Sequence, residues 1–408
     1  MSSNSSQPLD GVRIVDFTQV MLGPCATQML ADFGADVIKI ERPGQGELSR
    51  NFFGGKDEAA RNNPVFCSLN RNKRSVTLDT REDSAKQAVF ELVKRADVVV
   101  SNFRPGVMER MGFGYETLRE INPRIIFASG TGFGQTGPYV HKGGQDVLSQ
   151  ALTGVMERRA DDDSPRTIYA TALCDYTAGM HLVQGVLAAL LAREKTGRGQ
   201  EVSVSLYDSM LAMQMQEASY LMSEGNELNW AAMPLSGVFE TTDGALVLVG
   251  AFKQNPLQDI CRALGIEDLS ENYPDLEAQR AGKAELQRRF RQGFASDTTE
   301  HWISRLEEQD LLCAPVRPLS EALLDPQTIE NRMLATMTHP IHGEIQVIAS
   351  PVHLSDAPFT IRRPPPRVGE HTDEVLAELG LAGAVSPDKG DGTAKKTRAG
   401  NPQAAGAA

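Results

Sequence analysis

The sequence predicts an α/β protein: a Rossmann-like large domain with an inserted smaller α+β domain. Three observations carry this. Between residues 11 and 129, short β-branched runs alternate with helical patterns, as in a parallel sheet with crossover helices. Near residue 226 the pattern changes to hairpin signals. The 408 residues leave room for two or three domains at roughly 150 residues each.

The elements follow in order. GVRIVD at 11–16 reads as a strand, and 23–33 as a helix with Ala26, Met29, Leu30 and Phe33 on one face. DVIKIE at 36–41 is a second strand, and helices at 84–95 and 115–121 lead into strands at 97–101 and 124–129. A long helix is expected at 178–195, with Val183, Val186, Leu187, Leu190 and Leu191 as its core stripe and Lys195 and Gly197 as stop signals. A strand at 201–206 precedes a helix at 208–222, whose Met210, Met213 and Met215 read as adaptable core. Residues 238–249 spell strand, Asp-Gly turn, strand, followed by helices at 256–264, 283–294 and 299–309. A strand at 343–348, a strap at Pro364 to Pro366 and a helix at 371–379 complete the series.

The expected organisation is a large domain over 1–225, a small domain over 226–328, a return to the large domain over 329–384, and a disordered tail over 385–408, where apolar periodicity is lost.

Composition excludes several function classes. Lys plus Arg number 41 against 53 Asp plus Glu, a net charge of -12, which argues against nucleic acid or anionic lipid as a partner of the whole molecule. The five cysteines are odd in number, widely spaced and free of C-x-x-C, so neither a disulfide framework nor a metal site is expected. With no secretory leader and no run of about 18 apolar residues, a cytoplasmic location away from membranes is expected.

Few residues offer chemistry. Gly132, Gly134 and Gly137 match G-x-G-x-x-G, but a dinucleotide fingerprint belongs after the first strand, so the stretch reads as a turn or a loop that brings backbone N–H groups to a ligand. Lys39 and Arg42 after the second strand, Arg71, Lys73 and Arg74 ahead of the next, and Arg104 after strand 97–101 suggest a basic edge able to hold an adenosine phosphate. Asp175 stands in an otherwise uncharged stretch before the long helix; it is an N-cap by default or, alternatively, a nucleophilic carboxylate. His339 and His342 cannot make a metal site alone, and His181 reads as a partly buried helical histidine.

Ordered motifs then resemble one family: LDGVRIVDF at 9–17, FGADVIKIERPG at 33–44, NKRS at 72–75, NFRPG at 102–106, INPR at 121–124, GFGQTGP at 132–138, REKTGRGQ at 193–200, CAPV at 313–316 and GEHT at 369–372. They are similar to the family III CoA-transferases, which include formyl-CoA transferases and acyl-CoA racemases. The resemblance implies a pair of ring-shaped subunits interlocked as a homodimer, acyl-CoA and a small carboxylic acid as substrates, and no tightly bound cofactor. It implies that Asp175 attacks the thioester, and it carries CoA contacts onto Arg42, Asn72, Lys73, Asn102, Phe103 and Arg110; Arg104, Lys142 and Gln145 complete the expected set. The loop at 130–137 and segments near 234–252 are expected to cover the site.

Two departures stand out. The glycine run that formyl-CoA transferases carry in a lid is missing between 226 and 260, and their lysine and tyrosine fall on Gly143 and Gln145, with Lys142 adjacent. The racemase branch, the alternative function, needs a histidine where Gln145 stands, and an uncharged amide cannot serve as its base.

Overall fold

The computed structural model describes residues 7–383 apart from 56 and 162; the tail expected at 385–408 lies outside them. Six strands form one sheet: β1 (Arg13–Asp16), β2 (Asp36–Glu41), β3 (Lys73–Thr77), β4 (Val98–Ser101), β5 (Ile126–Thr131) and β6 (Glu201–Ser205). Their order is β3-β2-β1-β4-β5-β6 and every pairing is parallel. The strand order reverses between β1 and β4, and the crevice beyond the carboxyl ends at such a point is where open α/β sheets bind ligands.

Strand alternation separates two cores. Ile14, Val37, Val98 and Ile126 point to one face, where helices Leu22–Asp32 and Leu173–Thr196 pack. Val15, Ile38, Val99 and Phe127 point to the other, under helices Asp83–Lys94, Tyr115–Ile121 and Thr372–Glu378. Burial on both faces explains the near-continuous apolar runs of the inner strands.

A third core lies around β7 (Gly237–Glu240), β8 (Ala245–Val249) and β9 (Leu312–Pro315), where Phe239, Phe290, Phe294 and Trp302 meet. The hairpin β10 (Leu334–His339) and β11 (Gly343–Ile348) follows. The chain then returns to the first sheet. Asn72 accepts from the backbone N–H groups of Arg362 and Arg363 at 2.6 and 3.1 Å, and Arg74 pairs with Glu374 and Glu378 at 2.9 and 2.6 Å.

Two expectations need correction. The helix expected at 208–222 is two helices, Leu206–Met213 and Met215–Glu224, broken at Gln214, whose side chain bonds back to Met210 and Thr153 carbonyls. The long helix begins earlier than expected, at Leu173, so Asp175 lies within its first turn.

Candidate active site

Asp175 is not the N-cap of its helix. That position falls on Ala172, which has no capping side chain, and the cap comes from Asp146, 29 residues upstream. One Asp146 oxygen accepts from the N–H groups of Cys174 and Asp175 at 2.7 and 3.0 Å, and the other accepts from Gln150 at 2.6 Å. The Asp175 carboxyl is thereby left for other work. Its charged form is favoured by the backbone N–H of Leu22, which opens the helix after β1. Burial, and then the negative charge of Asp146, push its pKa up to about 6, while the Leu22 N–H pulls the other way.

Asp175 lines a cavity of about 340 Å³ together with Gln19, Val20, Met21, Leu22, Asn102, Phe103, Arg104, the 130–134 loop, Lys142 and Gln145. These segments follow β1, β4, β5 and β6, so the cavity sits at the carboxyl edge astride the point where strand order reverses. A second cavity of about 920 Å³, lined among others by Arg42, Gly44, Asp79 and Arg81, follows β1, β2, β3 and β4. Gln19 and Phe103 line both, making the two cavities neighbours along one edge.

The glycines of the 132–137 stretch have a structural purpose. A Cβ on Gly132 would lie 2.4 Å from the Cα of Gly144, and one on Gly144 would lie equally close to Gly132. The loop closes on itself by direct backbone contact, which sets the wall of the smaller cavity. Phe133 packs edge-on against Tyr139 at 5.5 Å, and the Lys142 ammonium sits 3.8 Å from the Tyr139 ring centre. A Cβ at 143 would come within 3.0 Å of the Arg104 guanidinium, so glycine at this position leaves room for Arg104.

Asp175, Asn102, Phe103, Arg104, Lys142 and Gln145 therefore meet at one cavity, and Arg42 reaches the adjoining one. Asn102 is partly committed: its amide bonds both ways to the Gln19 backbone, at 2.8 and 2.7 Å, leaving one proton and one lone pair for a ligand. Arg110 is exposed on helix Val107–Met111, whose Val107 and Met111 line the larger cavity.

The basic edge expected from the sequence is largely absent. Lys39 is fully buried and donates to the Thr18 carbonyl at 2.7 Å, and Arg71 grips Asp32 at 2.6 Å. Lys73, also fully buried, lies 3.3 Å from Asp16 and 2.9 Å from Asn70; burial presses its pKa down to about 8 against the pull of Asp16. Asn72 is spent on Asp32 and on the returning strap. In this chain Asn72 and Lys73 are built into the interior and line neither cavity. Nor does any residue of 234–252 line the Asp175 cavity. His339 and His342 stack at 4.9 Å, with His342 bonded to the Asn62 carbonyl, and no group of three candidate ligands for a metal occurs among the described residues. No helix among them is long and apolar enough to cross a membrane.

Comparison with known proteins agrees. The model of CoA-transferase family III matches residues 9–372. An acyl-CoA transferase of Fusarium pseudograminearum is 35% identical, the match covering 96% of this chain and 89% of that one. The succinyl-CoA:glutarate CoA-transferase of Mus musculus is 33% identical over 92% of this chain and 87% of its own. The formyl-CoA:oxalate CoA-transferase of Streptomyces coelicolor is 34% identical over 92% and 96%. The crystal structure of Rv3272 from Mycobacterium tuberculosis aligns with a TM-score of 0.81 at 32% identity, covering 91% of this chain and 100% of that one. The chain is an enzyme of CoA-transferase family III.

Proposed function

We propose that the enzyme moves CoA from a donor of the succinyl-CoA or formyl-CoA type to a small carboxylic acid, with Asp175 as nucleophile. The observation that carries this is a partly desolvated carboxylate on the wall of a narrow cavity that adjoins a larger one on the same sheet edge. A pantetheine arm fits the first when its nucleotide occupies the second, with Arg42 against phosphate and Phe103 at the passage between them.

The steps balance without an added reagent. An Asp175 oxygen adds to the thioester carbonyl, and the carbon–sulfur bond breaks with its electron pair leaving on CoA thiolate, the base of a thiol with pKa about 8.5. The product is a mixed anhydride. Thiolate then attacks the aspartyl carbonyl, freeing the donor acid and leaving an aspartyl-CoA thioester. The acceptor carboxylate attacks that thioester, and the returning thiolate takes the new acyl group and restores Asp175. With a pKa of about 6, Asp175 is about ten-to-one ionised at pH 7. Its partial burial leaves the oxygen poorly solvated and more reactive. Arg104 and Lys142 bring positive charge to the cavity for the acid's carboxylate.

Self-association fits the same reading. Leu191 and Met215, expected from the sequence in the core, are instead 70% and 66% exposed, as is Met222 at 79%, and a second copy of the chain would cover them; the interlocked form is the one the resemblance implies.

A screen of carboxylic acids against a panel of acyl-CoA donors, reading new CoA esters, tests the function. Acid-dependent exchange supports it. Uptake of deuterium at the α-carbon of a 2-methylacyl-CoA, with no acid present and no exchange, would instead establish the racemase.

A further inference from the structure

We infer that Glu47 is a positioning residue, which holds Val20 in a strained conformation and so aims the Leu22 N–H at the Asp175 carboxylate. The inference rests on Asp175 being the nucleophile. Val20 has φ +67°, a region that a β-branched side chain rarely enters and that the surroundings must impose.

The surroundings do so from three sides. Lys39 donates to the Thr18 carbonyl at 2.7 Å, Asn102 locks both backbone groups of Gln19, and one Glu47 oxygen accepts from the Val20 N–H at 2.9 Å. Glu47 is 3% exposed and is itself fixed: its other oxygen accepts from Ser49, and its N–H donates to Glu41 at 2.9 Å. Two residues beyond Val20, Leu22 lines the cavity beside Asp175, and its N–H favours the ionised carboxyl. If Val20 relaxed to negative φ, the Met21 and Leu22 peptides would turn and this donor would leave the carboxylate.

The groups facing Asp175 are Asp146, Cys25 and Cys174, with Arg104 and Lys142 across the cavity; those near Glu47 are Glu41, Arg50 and Lys73. Of all these groups it is Glu47 that accepts from the Val20 N–H.

Two conservative variants separate reach from charge. Glu47→Gln keeps an acceptor oxygen at the same reach, and its amide can donate to the Ser49 hydroxyl; Glu47→Asp keeps the charge but falls one methylene short. Steady-state CoA transfer is measured from pH 5 to pH 8.5, together with Asp175→Asn. Glu47→Gln is expected within about threefold of wild-type kcat, whereas Glu47→Asp loses about 10- to 100-fold in kcat with little change in KM. Its acid limb moves up by about 0.5–1 pH unit, since Asp175 has lost a donor to its charged form. Adding Val20→Gly to Glu47→Asp should recover about tenfold, because glycine adopts positive φ without restraint.

Equal losses in the two Glu47 variants, a greater loss in Glu47→Gln, an unmoved limb in Glu47→Asp, or no recovery with Val20→Gly would each overturn the inference. Residual transfer by Asp175→Asn near the wild-type rate would instead overturn the nucleophile, so the two failures are distinguishable.

Discussion

Asp146 accepts from the backbone N–H of Asp175 at 3.0 Å, so one carboxylate caps the helix on which the other is presented. The same proximity places a negative charge beside Asp175 and helps raise its pKa. The two effects can be separated.

Asp146→Asn should keep an acceptor oxygen for the cap while removing the charge. Asp175 then ionises more readily, and the acid limb of kcat/KM, expected near pH 6 in the wild type, should move down by about 0.5–1 unit. Asp146→Ala loses the cap as well and should cost about 1 kcal/mol of stability. A pH–rate profile and a denaturant titration of each variant check both statements.

Stability and activity should respond to Asp175 in opposite directions. Its pKa is raised from 3.8 to about 6, so between those values the folded chain holds more protons than the unfolded one. Stability therefore falls as pH rises through that window, and the penalty is complete above about pH 6. Asp175→Asn is expected to abolish transfer yet be more stable than wild type at pH 8, by about 1–2 kcal/mol. That is less than 1.36 kcal/mol for each pKa unit would give, because the side chain keeps some solvent. The difference should vanish near pH 4, as urea titrations at the two pH values would show.

Arg42 and Lys73 should behave as different kinds of residue. Arg42→Ala, exposed beside the larger cavity, is expected to raise KM for acyl-CoA about tenfold with stability within about 0.5 kcal/mol of wild type. Lys73→Met breaks a fully buried ion pair with Asp16 and should cost about 3–5 kcal/mol. Parallel KM and thermal-melt measurements discriminate the two roles.

Gly132→Ala should act through the loop. The added methyl meets the Gly144 backbone, which cannot move aside as a side chain would. A loss of about 1–3 kcal/mol is expected. Calorimetry reads the stability, and the rate should fall because the displaced loop is a wall of the Asp175 cavity.

Much of the sheet was legible because both of its faces are buried. β2 at Asp36–Glu41 and helix Tyr115–Ile121 coincide with their expected bounds, since each carries its own periodic signal. β3 left no such signal: Lys73 and Arg74 begin a strand whose polar side chains are buried through ion pairs formed with residues far away in sequence. The same reason misdirects a basic-edge reading, because a cation paired inside and a cation free to bind phosphate look alike in a chain of letters. Asp175 was legible as an unusual carboxylate, whereas its relation to Asp146 and to Leu22 was not, because two loops of the fold bring those residues together. The strain at Val20 likewise has no signature in composition or pattern.

The most direct measurement is mass spectrometry of the enzyme quenched after mixing with an acyl-CoA donor alone and digested to peptides. The peptide bearing Asp175 should carry CoA as a thioester, cleavable by hydroxylamine, and Asp175→Asn should carry none. Full turnover with that peptide unmodified, or with the adduct on another residue, would contradict the mechanism.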